Sequence, residues 1–458
     1  MLTRLEVNGF KNLINFEMDF GPFNCIAGLN GVGKSNIFDA IKFLSLLAQY
    51  DIHSSAKAVR DMKDGGEALD IFYTDGDSRT EKISLAAEMI VPLEVTDDFS
   101  RQGESSSTYL RYELTLTMAA DEYGNSRIAI EKEHLGHIPK GQAVERLKFP
   151  LSARDFRDKV IINRRKGKAF ISTTSEDSVT TIHIHQDGGS HGMTQKIPAK
   201  RTPRTVVANT NSVDLPTILA AKREMESWIF LSLEPTAMRR SNSFNDPRKI
   251  NEKGDFLAST LGKLIRRDSS SVDRVIRKMN RITKVTDIAL DEDKTRELFT
   301  LLMKERAGAY IPARALSDGT LRFLTLSLMS EDYDFKGLLC FEEPENGIHP
   351  ARIHSMLELL KEIVVDSKHE VSEENPLRQV IVATHSPILV QLQDKDDLIF
   401  ADIIKVNGPF NRASTTIKCK PMQGSWRSEK GISTISLSAV IAYLATPDGA
   451  QITMDNIW

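Results

Sequence analysis

Gly28-Leu29-Asn30-Gly31-Val32-Gly33-Lys34-Ser35 lies between a short apolar run, residues 23–27, and a stretch in which Ile37, Phe38, Ile41, Leu44 and Leu47 recur at helical spacing. Strand, glycine loop and helix, in that order, are the setting a phosphate-binding loop requires. Glycines let consecutive backbone N–H groups turn inward around an anion, and the helix that follows presents its positive end to it. Asn30, Gly31, Gly33, Lys34, Ser35 and Asn36 are therefore candidate nucleotide-binding residues. Lys34 is expected to reach the β- and γ-phosphates, and Ser35 Oγ to ligate Mg2+. With ordinary glycine, lysine and serine usage, a chance match to this pattern occurs in on the order of 1% of chains.

A phosphate loop alone does not separate kinases, GTPases and motor ATPases. Gly337-Leu338-Leu339-Cys340-Phe341-Glu342-Glu343 narrows the field: an apolar strand delivers two adjacent carboxylates at its C-terminal end, where open α/β sheets bind ligands. Neighbouring residues on a strand point to opposite faces, so the two acids divide the work. Glu342 is expected to hold Mg2+, directly or through water, and Glu343 to orient and deprotonate the attacking water. Leu316-Ser317-Asp318-Gly319-Thr320 precedes a helical stretch at 321–329; Ser317 suits its cap, and Gly319 lets a phosphate approach the backbone. His385 follows a second buried run, residues 380–383, in Ala383-Thr384-His385-Ser386-Pro387. Alone, such a histidine is an ordinary turn residue; the order and spacing of all four motifs give it a role.

Those motifs, with Gly9-Phe10-Lys11-Asn12-Leu13 and Glu342-Glu343-Pro344-Glu345-Asn346-Gly347-Ile348-His349-Pro350, resemble the ATP-binding-cassette (ABC) type heads of the RecF and SMC group. The closest resemblance is to the RecF-like "AAA family" ATPases related to overcoming-lysogenisation-defect proteins, as in the ATPase subunits of PARIS- or Septu-type anti-phage systems. It covers about the first 50 residues and 312–400. The resemblance implies two copies sandwiching two ATP molecules, with Ser317 and Gly319 touching the γ-phosphate bound by the opposite subunit. It also makes His385 the γ-phosphate-sensing switch, makes Glu343 the catalytic base, and puts residues 346–350 near the dimer interface. Two departures stand out. Glu342 replaces the family's usual Mg2+-side aspartate, and no Q-loop glutamine is placed, Gln49 merely ending the first helix.

The fold class expected is α/β: a P-loop NTPase of ABC-type ATPase-head architecture, with an inserted antiparallel β layer and a helical arm or lid. Residues 1–80 and 311–458 are the two parts of the head, 81–205 a β-rich insertion and 206–310 a helical, basic one. Strands are expected at 112–118, 128–130, 160–163, 169–173 and 180–185, with solvated loops at 102–107 and 188–192. Ile218, Met225, Ile229 and Phe230 suggest one helix, and a helix from about 272 to 282 has Ser270 or Ser271 as its cap. The tail from 404 alternates weakly. Formal net charge is -3, from 60 Lys+Arg and 63 Asp+Glu, yet residues 239–284 carry 13 Lys/Arg and 5 Asp/Glu, a local +8. That block suits a DNA phosphate backbone, an acidic partner or plain solvation. His183 and His185 share a strand face with His191 beyond them, but no carboxylate or cysteine is spaced to complete a metal site.

Three cysteines are too few and too scattered for a disulfide framework or a zinc site, and no run approaches the ~18 apolar residues of a membrane span. A reducing, cytoplasmic setting without membrane contact is expected. The tail after residue 400 shows neither an acidic Toprim pattern nor an HNH-like histidine arrangement, so any cutting falls to another chain. The expectation is an ATPase that forms a homodimer or higher homo-oligomer through an ATP sandwich and controls a separate nuclease or toxin. The competing expectation is a RecF-like DNA-binding repair ATPase. A small-molecule kinase would leave residues 316–320 and His385 idle.

Overall fold

The computed structural model describes all residues except 60–66, 77, 122, 150–153, 166, 178, 188–193, 306–307, 409–411, 429–431 and 446–458. The chain opens with the antiparallel strands β1 (Leu2–Asn8) and β2 (Phe16–Asp19), then β3 (Phe23–Ala27) and helix α1 (Lys34–Leu47). Six further strands follow: β4 (Lys82–Ile90), β5 (Tyr109–Ala120), β6 (Ser126–His137), β7 (Ile171–Glu176), β8 (Val179–Ile184) and β9 (Gln195–Pro198). They extend the first pair into an eight-stranded antiparallel sheet of order β9-β8-β7-β6-β5-β4-β1-β2. The β layer thus grows directly from the N-terminal hairpin. In β5, Tyr112, Leu114 and Leu116 are buried while Glu113, Thr115 and Thr117 are half-buried, the alternation of a one-sided sheet.

Several expectations need correction here. β6 is twelve residues long rather than the three at 128–130, because a bulge between Ile130 and Lys132 breaks its period. Residues 160–163 are not a strand: a helix, Arg154–Val160, occupies the start, and Asn163 makes only an isolated bridge to Ser107. The solvated loop at 102–107 instead contains the strand Gln102–Glu104 and the fully buried Ser105 and Ser107, whose hydroxyls donate to Pro92 O and Asn163 Oδ1. The expected loop at 188–192, with His191, lies outside the described residues.

The chain continues with α2 (Pro216–Glu226), β10 (Ile229–Leu231), α3 (Leu257–Arg267), α4 (Ser270–Met279), β11 (Val285–Asp293) and β12 (Leu298–Glu305). Ile229 and Phe230 do not prolong a helix. They form β10, pairing in parallel with residues 339–341. The segment 206–310 is also not purely helical, since β11 pairs with β12, the central strand of a four-stranded antiparallel sheet. Neither Ser270 nor Ser271 caps α4 with its side chain: Asp268 Oδ1 accepts from Ser270 N at 2.9 Å, a carboxylate serving the helix's positive end better than a hydroxyl.

Then come α5 (Asp318–Glu331), β13 (Gly337–Glu342), α6 (Ile353–Ile363), β14 (Arg378–Thr384), α7 (Pro387–Gln391), β15 (Leu398–Asn407) and β16 (Ala413–Pro421). The weakly alternating tail is the β15–β16 hairpin. A six-stranded sheet of order β10-β13-β14-β3-β15-β16 results, its first five strands parallel. Both faces are covered, which explains why β13 and β14 read as unbroken apolar runs. Leu338 and Cys340 pack toward α1 and the large sheet, while Leu339 and Phe341 pack toward α5 and α6. The C-terminal ends of β3, β13 and β14 therefore open side by side, carrying the glycine loop, Glu342-Glu343 and His385.

Candidate nucleotide site

Gly33 ends the loop with φ +103°, a conformation side chains disfavour, and a Cβ there would lie 2.3 Å from Asn12 Nδ2. Asn12 Oδ1 in turn accepts from Asn36 Nδ2 at 2.7 Å, and Lys11 pairs with Asp39 at 2.7 Å. The Gly9–Leu13 turn is thus tied to the first turns of α1. Sequence reasoning assigned Asn12 and Asp39 no role; their spacing from the loop gives no local signal.

Lys34 is buried, and its Nζ donates to Gly28 O at 2.6 Å and Leu29 O at 2.8 Å, curling back over its own loop. Burial lowers the pKa of its ammonium, while Glu343, Glu342 and Glu345 pull the other way, so the lysine faces three carboxylates. Ser35 Oγ donates to Glu342 Oε2 at 3.2 Å, joining the helix start to the end of β13. Asn30 and Gly31 are exposed at the loop's tip, and a Cβ at Gly31 would meet open space.

Glu343 has φ +48°, a left-handed backbone held by its N–H donating to Ala383 O at 2.8 Å. Its carboxylate is engaged at both oxygens: His385 Nδ1 lies 2.6 Å from Oε1, and Asn346 Nδ2 donates to Oε2 at 2.6 Å. An ionised carboxylate only accepts, so in this contact Nδ1 is the donor. The parallel β13–β14 register, which sets Glu342 opposite Ala383, brings Glu343 to His385 across 42 residues of chain. Asn346, expected near a dimer interface, here holds the catalytic-base candidate of its own chain.

Ser317 caps α5, its Oγ accepting from Thr320 N at 3.3 Å. The structure does not bring Ser317 and Gly319 to the glycine loop: they line a separate cavity of about 260 Å3 with Gly347, His349 and Arg352. Glu342, Glu343 and Asn346 open instead on a cavity of about 330 Å3. Ser232, just past β10, lines that second cavity beside them. It follows the three-residue β10, a strand too short to be read from the sequence.

The larger cavity of about 760 Å3 between β1, β2 and the β15–β16 hairpin lies away from these residues. Its charges pair with one another, Arg4 and Arg111 with Glu6, Arg111 and Arg146 with Glu88. His183 Nε2 and His185 Nε2 hydrogen-bond Thr174 and Ser172 hydroxyls, and no group of three metal-ligating side chains occurs among the described residues. The basic block is also largely neutralised. Nine of its 13 cations form ion pairs, several with acids of α5 and α6: Arg239 with Asp318, Arg274 and Lys278 with Glu331, Arg281 with Glu362.

Residues 1–390 match the AAA ATPase domain family. The chain belongs to that family. ATP hydrolysis is the family's general activity, and the glycine loop, Glu342, Glu343 and His385 all fall within the matched span. Locally, the chain is similar to the DNA replication and repair protein RecF of Phocaeicola vulgatus, 44% identical over 46 residues, 10% of this chain and 12% of RecF. RecF of Parabacteroides distasonis is 46% identical over 46 residues, 13% of its length. The aligned segment thus spans about an eighth of these relatives. Among solved structures, an Smc head bound to the C-winged helix domain of ScpA aligns over 92% of this chain and 98% of its own, at 16% identity and a TM-score of 0.49. The Smc head of Pyrococcus furiosus bound to the ScpA C-terminal domain aligns over 92% and 96%, at 13% identity and a TM-score of 0.46. Among the described residues, no helix is long and apolar enough to cross a membrane.

Proposed function

We propose that this chain is an ATPase head that closes as a homodimer, or within a higher homo-oligomer, around ATP, and that binding and hydrolysis control a separate effector, a nuclease or toxin, in prokaryotic anti-phage defence. One observation carries the reading: Lys34, Ser35, Glu342, Glu343 and His385 gather at one set of strand ends, while Ser317 and Gly319 line a different cavity of the same chain. A site that needs both halves obtains the second from another copy. The effector's class rests on the resemblance to anti-phage ATPases.

In this reading the N–H groups of residues 30–36 and Lys34 Nζ take the phosphates, Lys34 leaving the carbonyls of Gly28 and Leu29. Ser35 and Glu342, oxygen donors already in hydrogen-bond contact, fit Mg2+ and would hold it; the ion supplies charge neutralisation at the β- and γ-phosphates. Glu343 accepts the proton of the attacking water, with His385 and Asn346 fixing its carboxylate. Because ATP binds the closed dimer better than the open head, its differential affinity supplies the switching free energy.

Glu343→Gln should bind ATP and accumulate as a dimer by light scattering, with kcat lowered about 10²- to 10⁴-fold; undiminished hydrolysis would remove Glu343 as the base. Ser317→Arg should bind ATP yet remain open, and a normal ATP-dependent dimer would count against the sandwich. Co-purification that brings down neither a nuclease nor a toxin in either nucleotide state would remove the effector.

A further inference from the structure

Glu345 lies two residues past Glu343, is 9% exposed, and makes a contact none of the roles above uses. Its Oε1 is hydrogen-bonded to Thr384 Oγ1. Thr384 is fully buried at the end of β14, directly before His385. Thr384 Oγ1 accepts from Ser386 N at 2.9 Å and donates to the carboxyl of Glu345. Thr384 O accepts from Gly28 N at 3.2 Å, and Ser386 Oγ caps α7 through Leu389 N at 3.4 Å. The residues on both sides of His385 are therefore fixed, and the chain of bonds ends on Glu345.

Glu345 Oε2 is buried and, among the described residues, has no hydrogen-bond partner. A carboxyl half idle in the interior lowers stability, so packing gives no reason for an acid at this position. Burial, and then the charge of Glu343, raise its pKa, favouring the neutral acid.

We propose that Glu345 is a positioning residue: acting through Thr384, it sets the place at which His385 meets Glu343. This rests on the ATPase reading above. The test is steady-state ATP hydrolysis by the full chain, with thermal melts to correct for folded fraction. Misplacement by ~1 Å costs up to about 10²-fold, so Glu345→Ala and Thr384→Val should each lower kcat at least about tenfold, with KM for ATP within about twofold of the parent. Glu345→Gln, which keeps an acceptor oxygen for Thr384, and Thr384→Ser, which keeps the hydroxyl, should stay within about threefold. The double variant Glu345→Ala/Thr384→Val should be no slower than either single one, as expected for residues acting as one unit.

A kcat unchanged in Thr384→Val overturns the proposal even where Glu345→Ala does not fold. So does a Glu345→Gln variant as slow as Glu345→Ala, or a double variant whose losses multiply. Lys34→Ala is the control for the underlying reading. Wild-type hydrolysis that survives Lys34→Ala removes the ATPase assignment itself, whereas Lys34-dependent hydrolysis indifferent to residues 345 and 384 removes only the positioning role.

Discussion

Duplex DNA offers the sharpest measurement of what residues 239–284 do, because salt dependence counts the cations that engage phosphate. Each neutralised phosphate contributes about −0.9 to the slope of log K against log salt, so thirteen engaged side chains would give about −12. The structure leaves far fewer available. Nine of the 13 are ion-paired, and only Arg248, Lys249, Arg277 and Lys284 carry no ion pair among the described residues. Four cations cap the slope at about −3.6, which is about 10²-fold in affinity between roughly 50 and 200 mM salt, against about 10⁷-fold for the whole block. Burial also lowers the pKa of Lys249, which reduces its share further. The assay is fluorescence anisotropy of a labelled duplex across that salt range, for the parent and for Arg277→Glu. The expected slope is no steeper than about −3.6, and Arg277→Glu should change it by at most about 1. Arg277 is the clean probe, since reversing Arg274 or Lys278 would also break their pairs with Glu331 on α5. A slope steeper than about −6 that is lost on charge reversal within residues 239–284 would refute the reasoning, for it would require those intramolecular pairs to open onto DNA.

Two further outcomes concern Glu133 and Gly33. Glu133 is fully buried, accepts from Val206 N and Val207 N, and has its pKa pushed up to about 7 by burial. A carboxyl whose folded pKa exceeds its unfolded value of 4.5 stabilises at low pH, and that stability is lost as pH rises through about 7, on the order of 3 kcal/mol in all. Urea denaturation at pH 5 and pH 8 should therefore show Glu133→Gln gaining on the parent as pH rises; parallel pH dependences would contradict it. Gly33→Ala, forced into φ +103° and against Asn12, should lose about 1–2 kcal/mol of stability and at least about tenfold in affinity for a fluorescent ATP analogue. A variant with unchanged melt and affinity would show that the Asn12–Asn36 contact is dispensable.

What the sequence shows and what it conceals divide along the distance over which each feature is determined. The glycine loop, the unbroken β13 and β14 runs and the Ser317 cap are local patterns, and the structure forms each of them. The three residues of β10 carry no period of their own and continue the apolar pattern of α2; only the edge of β13 makes them a strand. The left-handed Glu343 is likewise a product of register, since its N–H and its carboxylate both find partners at the end of β14. Charge shows the same division most clearly. Counted along the chain, residues 239–284 are a +8 block seeking an external anion. Yet Asp318, Glu331, Asp332, Asp334 and Glu362, which answer most of it, all lie beyond residue 310. Arg239 also donates to Leu316 O, and Arg322 of α5 to Leu233 O just past β10, so this segment is bound to α5 near its start and, through Glu331, at its end. The local +8 is therefore largely answered within the chain, by acids of α5 and of the segments after it, and the basic block reads as the fastening between residues 229–284 and α5: whatever moves α5 must move residues 229–284 with it.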